Sequence, residues 1–145
     1  MGAPETTETV AGCQGRVMRG GSGEPLLFLH GAAGAERWLP FMDMLAEHYD
    51  VIVPEHPGFG ASETPEWLDT ISDLTFFYMD FLEQLGLEAV HLVGTSLGGW
   101  VAAEMATRSC ERIKTLTLVA PAGIHVPGVK RGDMFMWSPE EMAQN

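Results

Sequence analysis

Hydrophobic residues occur in two patterns along this chain. Four short, nearly unbroken apolar runs stand out: "LLFLH" (Leu26–His30), "VIVP" (Val51–Pro54), "AVHLV" (Ala89–Val93) and "IKTLTLV" (Ile113–Val119). Each is too short for a buried helix and rich in Val, Ile and Leu, so each predicts a strand, and the first three predict strands covered on both faces. Between them the apolar positions recur every three or four residues. "RWLPFMDMLAEHYD" predicts a helix from Trp38 to Tyr49, with Pro40 tolerated only in its first turn. In "DTISDLTFFYMDFLEQLGL" the residues Ile71, Leu74, Tyr78, Phe81, Leu82 and Leu85 share one face, and Gly86 stands where a C-terminal cap belongs. Leu97 to Arg108 reads as an alanine-rich helix. A short strand near Arg16–Met18 runs into a turn at Gly20–Gly23, and residues 1–12 read as a disordered tail.

Alternating strands and helices predict an α/β fold, a mostly parallel sheet with helices on both faces. Ligand sites in such sheets gather beyond the carboxyl ends of the strands. Three glycine-rich loops leave those ends: His30–Arg37, Glu55–Trp67 and Gly94–Leu97. No internal repeat or linker divides the chain. After Val119 no further strand is predicted. Ser138-Pro139-Glu140-Glu141 has the makings of a helix start, with Ser at the cap, Pro at the first position and Glu three residues after the Ser.

Composition narrows the partners. The chain has 145 residues, 46% of them hydrophobic, enough for one domain with a core. Its 8 basic and 20 acidic residues give a net charge of −12, which argues against nucleic acid and anionic membrane surfaces. The N-terminus lacks a signal-peptide layout. It fits the loose acylation pattern through Gly2 and Thr6, but no polybasic second signal accompanies it. Cys13 and Cys110 make neither a disulfide framework nor a metal cluster, so a reducing, cytoplasmic compartment is expected and no metal. Neither Gly-x-x-x-x-Gly-Lys-Ser/Thr nor Gly-x-Gly-x-x-Gly occurs, and no cofactor is expected.

The stretch "HLVGTSLGGW" carries the chemistry. Gly94-Thr95-Ser96-Leu97-Gly98 fits the Gly-x-Ser-x-Gly nucleophile elbow and has the required strand before it and helix after it. There the serine takes a strained backbone conformation that lifts its hydroxyl above the sheet, and side chains at 94 or 98 would collide with neighbouring backbone. The helix starting at Leu97 aims free N–H groups at the site. The alternative is a chance match in a glycine-rich turn. An elbow nucleophile needs two backbone donors for its oxyanion. One is the N–H of Leu97; the other is expected from His30-Gly31-Ala32-Ala33-Gly34, with Ala32 first and Ala33 second. His30 and Gly31 would shape that loop rather than react.

In "LLFLHGAAG", "VIVPEHPGFGASE", "VHLVGTSLGGWVAAEMA" and "IKTLTLVAPAG", in this order over residues 24–124, the chain resembles the α/β-hydrolase superfamily. The resemblance implies residues 13–124 as the N-terminal part of the hydrolase core, cut off after the strand that follows the nucleophile helix. It implies 125–145 as the incomplete start of a cap. "HPGFGAS" matches a loop that is usually structural in the family. A serine at the elbow, where an aspartate would imply dehalogenase or epoxide-hydrolase chemistry, implies attack on an ester-like or other acyl carbonyl.

The family carries its acid and then its histidine after the serine. After Ser96 come only Glu104, Glu111, Asp133, Glu140 and Glu141, and a single histidine, His125. His125 precedes Asp133 and lies too near the fourth strand. Before the serine, His48 and His91 read as a helix-surface and a strand residue, and His30 and His56 are expected near the pocket mouth without a proton-transfer role. The expectation is therefore a serine hydrolase fragment without its acid and base. Its partners would be a small acyl substrate and either a complementing C-terminal half or a second copy at the exposed Ile113–Val119 edge. The competing reading is a non-catalytic binding or assembly module that keeps the scaffold.

Overall fold

The computed structural model describes residues 4–129 together with 137, 138 and 140. The cap-start signal at Ser138–Glu141, the acid Asp133 and the acylation signal at Gly2 fall wholly or largely outside them. The described strands are β1 (Glu5–Val10), β2 (Cys13–Gly21), β3 (Glu24–Leu29), β4 (Tyr49–Pro54), β5 (Val90–Thr95) and β6 (Ile113–Val119). The helices are α1 (Pro40–Ala46), α2 (Ile71–Gln84) and α3 (Leu97–Arg108).

The strands form one sheet in the order β1-β2-β4-β3-β5-β6. β4, β3, β5 and β6 run parallel, and β1 and β2 add an antiparallel hairpin at one side. The pleat divides the central strands between two cores. Val51, Val53, Leu26 and Phe28 point to one face and meet Met42 of α1. Ile52, Leu27, Leu29 and Leu92 point to the other, where α2 and α3 supply Tyr78, Phe81, Val101, Ala102 and Met105. Both faces are thus covered, as the continuous apolar runs require.

The hairpin corrects the sequence reading. Residues 1–12 are not a disordered tail over their described part: Glu5–Val10 pairs along its length with Cys13–Met18. Its threonines favour extended backbone, and Ala11 and Gly12, both at positive φ (49° and 73°), form a two-residue turn whose twist suits a hairpin. Only Val10 of this strand is buried, so no apolar run marks it. The strand expected at Arg16–Met18 is correspondingly longer.

α1 is also shorter than predicted. Leu39 stays extended as the cap, Pro40 opens the helix, and Tyr49 already pairs with Glu24 in the sheet. The apolar spacing of Trp38 and Tyr49 reflects loop and strand residues packed on the same core as α1. α2 follows its prediction. Thr70 and Asp73 cap each other at its start, Asp73 accepting the Thr70 N–H at 2.7 Å, and Leu87 N–H closes its end on the Leu82 carbonyl at 2.9 Å. β6 is a sheet edge, with Leu116 and Val119 exposed.

Candidate active site

β5 ends at Thr95 and α3 begins at Leu97, so the chain reverses on a single residue, Ser96. It holds φ 50° and ψ −113°, a conformation that L-residues rarely adopt. The surroundings enforce it. Ser96 N–H donates to the Val119 carbonyl at 3.0 Å, and Ser96 C=O accepts from Trp100 N–H (3.1 Å) and Ala122 N–H (2.9 Å). The side chain is exposed at the carboxyl end of the sheet.

The flanking glycines are needed for contact. A Cβ on Gly94 would lie 2.3 Å from the Gly98 carbonyl oxygen, and one on Gly98 would lie 2.2 Å from the oxygen of Leu29 and 2.5 Å from that of His30. Without them α3 could not settle across the ends of β3 and β5. Leu97 is the first residue of α3, so its N–H has no acceptor within the helix.

The loop after β3 comes to the same place. Gly31 to Gly34 make a tight turn closed by Gly34 N–H on Gly31 C=O at 3.1 Å, with Ala32 and Ala33 exposed at its centre. A Cβ on Gly31 would stand 3.2 Å from Ser96 Cβ. Turn and serine share the lining of a cleft of about 640 Å³. Phe28, Leu39, Phe41, Leu45, Val93 and Val119 make its walls apolar.

His30 lines this cleft yet is only 2% exposed, and His56 is fully buried. The expectation of both near the pocket mouth is corrected for His56, whose ring lies beneath that of His30 at a centroid distance of 3.7 Å. Burial lowers the pKa of both imidazoles, that of His56 to about 3. His91 lies toward the start of β5, where it meets Thr115 Oγ1 (2.8 Å) and Glu24 (3.0 Å). His48 is exposed on the turn after α1, and His125 is exposed beyond β6. None of these three lines the cleft.

Sequence reasoning did not find what holds the site from behind. Glu55, 2% exposed, accepts from Arg16 Nη2 (2.9 Å) and from Ala61 N–H (2.7 Å). Arg16 also donates to the carbonyls of Ala35 (2.6 Å) and Glu36 (3.1 Å), so β2 grips the loop that carries the turn. The signal was present: Glu55 and His56 are two ionisable residues set directly behind a fully apolar strand. Among the described residues no group of three or more His, Cys, Asp or Glu is placed to hold a metal ion, and no helix is long and apolar enough to cross a membrane.

Known proteins share this architecture. The family profile described as alpha/beta hydrolase fold matches residues 24–144. The acetyltransferase component of the acetoin cleaving system of Cupriavidus necator is 38% identical over 106 residues, 72% of this chain and 28% of that protein. A 2-hydroxymuconate semialdehyde hydrolase of a Pseudomonas species is 33% identical over 138 residues, 88% of this chain and 49% of that protein. The crystal structure of a bacterial membrane phospholipase A superposes with a TM-score of 0.81 at 32% identity, over 88% of this chain and 42% of that one. A 2-hydroxy-6-oxo-6-phenylhexa-2,4-dienoate hydrolase from Rhodococcus gives 0.74 at 26% identity, over 86% and 48%. The chain thus spans between about a quarter and a half of the length of these relatives. On the profile match and the shared sheet, it belongs to the α/β-hydrolase fold family.

Proposed function

We propose that this chain contributes the nucleophile and the oxyanion site of a serine hydrolase acting on an ester-like or other acyl carbonyl compound. Ser96 is the nucleophile, and the N–H groups of Leu97 and Ala32 receive the oxyanion, with Ala33 as the second choice for the loop donor. The observation that carries this reading is the strained, exposed Ser96 set against the Gly31–Gly34 turn at the mouth of an apolar cleft. The hydrolases among its relatives support the reaction class.

The chemistry follows from the arrangement. Attack by Ser96 Oγ turns the carbonyl oxygen into an oxyanion, and backbone donors aimed at its position stabilise it without reorganising. The dipole of α3 adds to this. The apolar walls favour an uncharged acyl group and exclude water from it. A base must take the serine proton, and His30 is unsuited to the task. Its Nε2 accepts from His56 N–H and its Nδ1 faces the Gly31 carbonyl, so neither nitrogen is left for Ser96. Among the described residues no other histidine lines the cleft, so the base and its acid reach Ser96 from outside the described residues.

A fluorophosphonate probe followed by peptide mapping tests the assignment. The adduct is expected on Ser96, with none in Ser96→Ala. If labelling persists in that variant, or the folded protein supplied with its C-terminal complement leaves Ser96 unmodified, the nucleophile is misassigned. A non-catalytic scaffold would then be the better reading.

A further inference from the structure

Directly behind the Gly31–Gly34 turn lie three buried polar side chains that have no part in the chemistry proposed for Ser96. His30 follows β3, His56 follows β4 and Tyr78 belongs to α2. They are 2%, 0% and 0% exposed. Phe59 meets both imidazoles edge-on at centroid distances of 5.3 and 5.6 Å, and Phe77 and Phe81 enclose Tyr78.

The hydrogen bonds fix where each proton sits. The backbone N–H of His56 donates to His30 Nε2 at 2.9 Å, so that nitrogen holds a lone pair. The neutral His30 ring then carries its proton on Nδ1, which donates to the Gly31 carbonyl at 2.6 Å. The His30 carbonyl can only accept, so His56 donates to it from Nε2–H at 2.8 Å. His56 Nδ1 is left as an acceptor, and the Tyr78 hydroxyl donates to it at 2.5 Å. Two relays thus run forward from α2 and the β4 exit. The first, from Tyr78 through the His56 ring, ends on the His30 carbonyl; the second, from the His56 backbone N–H through the His30 ring, ends on the Gly31 carbonyl, which also accepts Gly34 N–H and closes the turn.

We infer that His56 and Tyr78 are positioning residues for the Gly31–Gly34 turn: the His56 backbone N–H selects the His30 tautomer that donates to the Gly31 carbonyl, and the His56 ring, held by Tyr78, pins the His30 backbone from which the turn starts. What the turn is for rests on the oxyanion reading above; how it is held does not. The arrangement requires both imidazoles neutral. A proton on His30 Nε2 would face the His56 N–H donor, and one on His56 Nδ1 would face the Tyr78 hydroxyl proton. Other ionisable groups bear on the cluster. Arg16 opposes a charge on His30 and Glu55 favours it, while Cys13 and Glu55 bear on Tyr78. Burial outweighs them at both histidines.

Imidazole ¹⁵N NMR and amide hydrogen exchange on the full chain test this. At neutral pH His30 is expected protonated on Nδ1 and His56 on Nε2. Tyr78→Phe is expected to lower protection of the Gly34 amide by about tenfold relative to Leu92 in β5, which reports the sheet. His56→Leu should do the same. In His56→Gln the amide can donate to the His30 carbonyl and accept from Tyr78, so the Gly34-to-Leu92 ratio should stay near that of the parent. The opposite tautomer at either ring would overturn the inference even if the variants failed to fold. So would equal loss of protection at Gly34 and Leu92 in Tyr78→Phe, the mark of a core residue with no particular hold on the turn. None of these readouts needs Ser96 to react, so an unlabelled Ser96 and a failure here are separate results.

Discussion

Gly98, in the first turn of α3, lies so close to the end of β3 that a Cβ at this position would stand 2.2 Å from the carbonyl oxygen of Leu29. That contact sets how near the turn at Ser96 comes to the Gly31–Gly34 turn, since Leu29 leads straight into the latter. Gly98→Ala must push α3 away from backbone, which cannot rotate aside as a side chain could. The expected loss of stability is about 1–3 kcal/mol, as for an overfilled core. The urea midpoint should fall, and Ser96 should react more slowly with a fluorophosphonate than in the parent. An unchanged midpoint and rate would show that the contact is not limiting.

Ser96 itself is strained. At φ 50° and ψ −113° its Cβ is unfavourable, and glycine alone adopts the region freely. Ser96→Gly is therefore expected to be more stable than Ser96→Ala by about 1 kcal/mol or more. Paired denaturation curves of the two variants measure the difference. Equal midpoints would mean that the elbow relaxes once the hydroxyl is gone.

Behind the site the buried carboxylate of Glu55 pairs with the half-buried Arg16, the two side chains being 1% and 17% exposed. Arg16→Met leaves the Glu55 carboxylate with the Ala61 N–H and without its cation. Removing one partner of a buried pair costs about 3 kcal/mol or more. The same change frees the Ala35 and Glu36 carbonyls. Calorimetry should show a lower Tm, and Arg16→Met/Glu55→Gln should recover part of the loss, because no charge is then left buried.

Acid should weaken the fold through His56. Its pKa in the folded protein, about 3, is depressed below the ordinary 6.5 by burial and by the neighbouring His30. The folded state thus binds its proton less readily than the unfolded chain. This contribution is complete above pH 6.5 and is lost as the pH falls from there toward 3. His30, lowered in the same direction by burial, adds to the trend. Urea midpoints measured across this range should decline with acid, and His56→Gln should flatten the slope. A variant with the parent's slope would place the sensitivity elsewhere.

Much of this was legible in the chain because it is local. Val51–Val53 has no polar residue, so it had to be covered on both faces, and parallel neighbours under helices follow. Ser96 could be singled out because strand, glycines and alanine-rich helix are consecutive in sequence. The first strand was missed for the converse reason. Glu5–Val10 buries one residue and is specified by its pairing with β2, which no periodicity along the chain reports.

The sequence by itself determined the elements that bury apolar side chains, their alternation, and the elbow that places a serine at the end of a strand. Tertiary structure alone decided which distant polar groups support it. His30, His56 and Tyr78 lie 22 to 48 positions apart, and Arg16 meets Glu55 across 39. Burial makes each such group costly unless a partner arrives from another element. That partner is chosen by the sheet order and the seating of α2, neither of which can be read from local spacing.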